Sequence, residues 1–109
     1  MGKMMKEPID RERVRRINGG FGWVDHRLVQ DRYVDECSHL GLALYLFLVT
    51  VSNADGVSYW GERAVSERLK VGMVELRAAR LELEAADLLA YEKPVWQVLQ
   101  LRRRREVAP

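Results

Sequence analysis

The apolar positions between Glu62 and Leu101 change period twice, and each change marks an element. Val65 and Leu69 lie four apart, on one face of a helix predicted over Glu62 to Lys70. Val71 packs into a tight turn with Gly72, and a second helix is predicted over about Met73 to Ala86. Its Leu76, Ala79 and Leu83 fall at i, i+3 and i+7 and form one inward stripe. Asp87 then stands where such a turn needs a left-handed residue, a conformation Asp tolerates better than most. Leu88 and Leu89 close the core and begin a strand, and Val95 to Leu101 returns as a second. Pro94 has no amide to donate, so it suits the hairpin turn between them.

The first half of the chain supplies the remaining core. From about His39 to Val51 nearly every position is apolar, so the pattern predicts a helix buried all round, with Ser38 as its N-cap. Asn53-Ala54-Asp55-Gly56 ends that helix in turn chemistry, with Gly56 available for a positive φ. Val57-Ser58-Tyr59 is long enough for one short strand that pairs with the later hairpin. Upstream, Leu28, Val29, Tyr33 and Val34 have the spacing of one or two helical turns capped by Asp25. Phe21 to Val24 is expected to run extended and lay Trp23 against the domain.

Composition limits what this body does. Hydrophobic residues are 48% and charged residues 31%, the balance of a single globular domain and not of a disordered chain. The longest apolar run, about Leu40 to Val51, falls short of the roughly twenty residues a membrane span needs, and no signal-peptide pattern is visible. One cysteine, Cys37, rules out a disulfide framework and agrees with a cytoplasmic protein. The net charge of +2 is unevenly divided. Residues 1–17 hold six basic and three acidic groups, and residues 102–109 four and one. That leaves eight basic against twelve acidic in 18–101, a mildly acidic body between two basic ends. The expected organisation is a mobile basic arm over 1–20, a domain over 21–101 and a basic tail over 102–109. Each end reads either as a solvated tail or as a phosphate-contacting arm.

Taken together, GFGWVDHRLV, ALYLFLVTVSNADGVSY and the run Val65, Leu69, Val71, Leu76, Ala79-Arg80, Leu83, Asp87-Leu88-Leu89 resemble a winged helix-turn-helix domain. The similarity is to the N-terminal domains of DnaD-type and related replication-initiation proteins, and to small helix-turn-helix proteins of bacterial mobile elements. It departs where many winged helices have Gly-Leu-Ile and this chain has Asp87-Leu88-Leu89. The resemblance implies a mainly α fold, a three-helix core plus a small β-hairpin wing. It also implies that the second helix of the motif enters the major groove of duplex DNA while the hairpin touches backbone or minor groove. The DNA-facing set would then be Lys70, Met73, Val74, Arg77 and Ala78, with Lys93 on the wing. Arg15 and Arg16 would join it from the N-terminal arm, and Arg102, Arg103, Arg104 and Arg105 from the tail. Outward positions also include Glu75 and Leu81, and the helix carries Glu82 and Glu84, whose charge opposes phosphate.

The other chemistry-bearing residues point nowhere else. Arg80 is read evenly as a DNA contact or as an ion pair with Glu67 or Asp87. Trp60 and Trp96 are read as packing residues before base-stacking ones. Cys37, His39 and His26 lack a completing ligand or base, so no metal site, cofactor, small-molecule ligand or catalytic role is expected. Gly19-Gly20-Phe21-Gly22 lacks the lysine and strand context of a phosphate loop. The expectation is therefore a non-enzymatic DNA-binding module with a transcriptional or replication role, working as a homodimer. The alternative is a protein-interaction or dimerisation module on the same fold.

Overall fold

The computed structural model describes residues 7–15, 19, 20 and 22–102. Within them the chain is mixed α/β, with helices packed on a three-stranded antiparallel sheet. A 3-10 turn at Arg11–Arg13 is followed by α1 (Arg27–Gln30), a second 3-10 turn at Val34–Glu36 and α2 (His39–Val51). Then come β1 (Val57–Tyr59), α3 (Glu62–Leu69), α4 (Met73–Ala85), β2 (Leu89–Glu92) and β3 (Val95–Val98). β3 is the central strand, pairing Val57 with Gln97 on one side and Leu89 with Val98 on the other. The hairpin is thus two strands of a larger sheet, which the β1 segment completes as its sequence suggests.

The predicted stripes form the core. Leu44 and Leu48 of α2, Val65 of α3, Leu76 and Leu83 of α4, and Leu88 and Trp96 are all fully buried. Each such side chain stabilises the fold by about 1.5–3 kcal/mol relative to exposure. Trp96 also donates its indole N–H to the Trp60 carbonyl at 2.8 Å, and Trp60 meets Phe47 edge-on at 5.1 Å, so both tryptophans pack as expected. Three non-glycine residues adopt left-handed backbone: Arg32, Lys70 and Asp87, the last as its place in the sequence predicts. Gly56 has φ +81°, and a Cβ there would lie 2.6 Å from the Val98 carbonyl oxygen. Only glycine allows this turn to close against β3, where the Val98 N–H donates to the Gly56 carbonyl at 2.8 Å.

Two expectations of burial fail. α2 is not buried all round: Ala43 and Thr50 are exposed, and Leu46 is 60% exposed. α2 packs mainly against α4 and β3, and the side bearing Ala43, Leu46 and Thr50 is left exposed. Trp23 is 81% exposed, so most of its ring faces solvent where the sequence suggests it would be covered. It borders a groove with Tyr45 and Leu101, both of which are buried there. The chain beyond β3 is fastened over that spot by the Tyr33 hydroxyl, which donates to the Arg102 carbonyl at 2.8 Å.

α1 is a single turn, and its N-cap is His26, not Asp25 as the sequence suggests. Asp25, one residue earlier, accepts the Arg27 backbone N–H at 2.9 Å and grips the Arg27 guanidinium at 2.7 Å. Those hydrogen bonds hold the Asp25 carboxyl down at about 2 and raise the Arg27 guanidinium above its usual value. In the N-terminal segment, Ile9 and Val14 are exposed and Asp10 caps only the short 3-10 turn.

Candidate nucleic-acid interface

α4 follows α3 after the three residues Lys70, Val71 and Gly72. Lys70 caps α3 in left-handed geometry, and Gly72, the N-cap of α4, brings no side chain to the exposed amides there. Leu76, Ala79 and Leu83 face the core. On the opposite face Val74 is 79% and Leu81 56% exposed, with Ala78 and Ala85 exposed in line with them. The spacing of four, three and four places them in one apolar stripe along the solvent side of the helix.

The two arginines of α4 are held beside this stripe. Arg77 reaches Glu62, at the start of α3, with a nitrogen–oxygen separation of 3.4 Å. Arg80 lies 3.6 Å from the same carboxylate and 3.1 Å from Glu84, with its guanidinium 4.6 Å from the centre of the Tyr91 ring. Glu62 and Arg80 are largely buried, their side chains only 12% and 17% exposed. Removing one partner of such a pair strands the other charge. Tyr91 has its hydroxyl pushed up by burial and by the negative Glu62. Arg77, half exposed, is the one arginine of α4 with a free path to solvent.

Glu82 has a different use. The Ser38 hydroxyl accepts the Gly41 N–H at 3.0 Å, as an N-cap should. In a capping box the third helical residue is a glutamate that reaches back to the cap amide. Here that position is Gly41, and the carboxylate comes from α4: Glu82 accepts both the Ser38 N–H at 2.9 Å and the Ser38 hydroxyl at 2.8 Å. A Cβ on Gly41 would fall 2.0 Å from the Glu82 oxygen, so the missing side chain makes room for the borrowed one. The negative charge also suits the N-terminal end of the α2 dipole.

The expected contact residues are therefore only partly brought together. Val74, Arg77 and Ala78 share the outward side of α4. Met73 does not: it is half-buried at the first position of the helix. Lys70 and Lys93 are exposed and in no ion pair among the described residues. Lys93 stands at the hairpin turn, where its bond to Pro94 is cis. Arg102 is exposed and pairs with Asp87 at 3.2 Å, which places Arg102 beside the C-terminal end of α4. Arg15 is exposed in the N-terminal segment. Arg16, Arg103, Arg104 and Arg105 lie outside the described residues.

Arg80 forms an ion pair, but with Glu62 and Glu84; Asp87 is engaged by Arg102 and Glu67 is exposed. Glu82 and Glu84, which the sequence sets against phosphate, are half-buried and engaged inside the domain, leaving Glu75 as the exposed acid of α4. Glu62 and Tyr91 were not singled out. Glu62 lies fifteen residues from Arg77, a separation with no local sequence signature.

Among the described residues, no helix is long and apolar enough to cross a membrane. Among them, too, no group of three or more His, Cys, Asp or Glu side chains is placed to hold a metal ion. Cys37 is half-buried and donates to the Tyr33 carbonyl at 3.5 Å. Compared with family models, curated proteins and solved structures, the chain matches none.

Proposed function

We propose that this chain is a winged-helix DNA-binding module, non-enzymatic, with α3 and α4 as its helix-turn-helix and the β2–β3 hairpin as its wing. One observation carries the reading. α4 is the second of two helices joined by a three-residue turn, its outward Val74, Ala78, Leu81 and Ala85 are exposed among the described residues, and a hairpin stitched to β1 follows it. An α-helix of thirteen residues is about 20 Å long, and the major groove, about 12 Å wide, admits it. Lys70, Lys93 and Arg102 are exposed cations suited to phosphate, with the basic ends adding to them. The sequence resemblance supports a transcriptional or replication-associated role, and such a protein would act in the cytoplasm.

The test is a mobility shift with mixed-sequence duplex at low salt. Binding should weaken steeply with added salt, and Lys70→Ala with Lys93→Ala should make that salt dependence shallower. No shift of any duplex at low salt rejects the reading. A second reading, a protein-interaction module, is favoured by the apolar stripe of α4 and by the carboxylates beside Arg77 and Arg80. Sedimentation separates it: self-association lost in Leu81→Ser supports that alternative, and homodimerisation elsewhere on the surface remains compatible with DNA binding.

A further inference from the structure

We infer that α4 reads thymine methyl groups, so that the duplex this protein prefers is rich in A·T pairs. The inference rests on the DNA-binding reading and adds what the helix recognises. Bases in the major groove are distinguished by hydrogen-bonding edges and by the thymine C5-methyl. The side chains that read the edges are Arg or Lys for guanine, Asn or Gln for adenine, and Asp or Glu for cytosine. α4 contains no Asn, Gln or Lys. Arg80 is buried between Glu62 and Glu84 over Tyr91, and Arg77 is tethered to Glu62. Glu75 folds back toward the N-terminus of its own helix, its oxygen 2.5 Å from where a Gly72 Cβ would stand. Beside the half-exposed Arg77 and the folded-back Glu75, what α4 offers outward is Val74, Ala78 and Leu81, which have no polar atom and suit the thymine methyl, not a polar base edge.

Charge is arranged to match. Lys70 stands just before the N-terminal end of α4 and Arg102 beside its C-terminal end, so cations lie beyond both ends of an apolar centre. That suits a groove floor between two phosphate rows. A second copy of the chain is the other candidate for the stripe, and size argues against it. Four residues spanning about 17 Å of helix cover far less than the roughly 800 Å² per partner of a stable protein interface. A single DNA-binding module needs about 600–1,000 Å², and the hairpin adds to what α4 covers.

The experiment uses the full chain and four probes: an alternating d(A-T) duplex, the same duplex with deoxyuridine for thymidine, and an alternating d(G-C) duplex with and without 5-methylcytosine. Burying one methyl should change affinity about fourfold, so two contacts give roughly tenfold or more. The thymidine duplex should bind tighter than the deoxyuridine one by that factor, and cytosine methylation should raise affinity for d(G-C). Val74→Ser and Leu81→Ser should bring the thymidine-to-deoxyuridine ratio toward one while leaving the salt dependence unchanged. Equal affinity for the two A-containing duplexes overturns the inference and leaves DNA binding standing. Failure of all four probes to bind at low salt overturns both. A methyl preference that persists in Val74→Ser/Leu81→Ser also overturns it, by removing α4 from the recognition.

Discussion

α2 and α4 are both thirteen residues long and pack on each other, yet their sequences suggest opposite fates. α2 has no acidic or basic residue besides His39, and its pattern calls for burial on every side. It still leaves Ala43, Leu46 and Thr50 in solvent. α4 carries five charged residues, which suggest a polar outer face. Its outermost line is apolar, while Arg80, Glu82 and Glu84 are drawn into contacts with Glu62, Ser38 and each other. Hydrophobic content therefore does not rank how much of a helix is covered. The number of neighbouring elements does so for α2, and for α4 the reach of long charged side chains toward partners on other elements decides which residues remain outside.

The largest test of this contrast sets the two faces of α4 against each other. Leu83 is fully buried, and Leu83→Ala should destabilise the protein by about 2–5 kcal/mol, from lost burial and the cavity left behind. Leu81→Ala, two residues away and more than half exposed, should cost less than about 0.5 kcal/mol. Urea unfolding of both variants measures the difference. Comparable costs would mean that the outer stripe is covered in solution.

Next in size is the link between the helices. Glu82→Ala should cost about 1–2 kcal/mol by removing the acceptor and the anion at the start of α2. Gly41 sharpens the point, because alanine favours a helix interior over glycine by about 0.8–1 kcal/mol. In the native background Gly41→Ala displaces the Glu82 carboxylate, so gain and loss should nearly cancel. With Glu82→Ala already in place, the same substitution should stabilise by about 1 kcal/mol. A thermodynamic cycle of melting temperatures reads the sign change. Equal effects in both backgrounds would dissolve the proposed competition for space.

That pair also shows where sequence reading stops. The helices, turn and strands were legible because each depends on local spacing: Val65 with Leu69, Leu76 with Ala79 and Leu83, and Asp87 at its left-handed corner. The cap on Ser38 was half legible, since Ser38 looks like a cap but its glutamate is forty-four residues away. Glu62 as the shared partner of Arg77 and Arg80 was not legible, because nothing local relates the start of α3 to the middle of α4. The contact set needed the most revision for the same reason. Outward position follows from helical period, and Val74, Arg77 and Ala78 were placed correctly by it. Met73, the first residue of α4, is half-buried where the period alone would put it outward, and the arginines' engagement is a tertiary fact.

Alkaline titration compares the two helices again. The Tyr45 hydroxyl on α2 is raised by burial first, then by the charges of Asp25 and Cys37. Tyr91, under Arg80 of α4, is raised by burial and Glu62. A phenol favoured in its neutral form contributes stability that is full below its unfolded value of about 10 and is lost as pH rises through the higher folded value. Tyr45 is the more deeply buried of the two, so Tyr45→Phe should remove more of the alkaline loss than Tyr91→Phe. Denaturation at a series of pH values above about 9 tests this. A larger change from Tyr91→Phe would place the tighter environment on the α4 side.

The smallest effects belong to the two exposed leucines, Leu46 on α2 and Leu81 on α4. Each should tolerate serine with a change in stability of no more than about 0.5–1 kcal/mol, mostly helix propensity. The informative quantity is how the melting temperature depends on protein concentration. A face covered by a second copy couples folding to association, so the melting temperature of the native chain would rise with concentration, and serine on that face would abolish the rise. A melting temperature independent of concentration leaves both stripes facing solvent in the free protein. α4 is then distinguished from α2 by what surrounds its stripe. Lys70 and Arg102 stand beyond its ends, whereas no lysine or arginine lies within α2 or next to either of its ends in the chain. On that outcome the leucine worth following into a DNA-binding experiment is Leu81, and Leu46→Ser becomes its control, expected to leave affinity for every duplex unchanged.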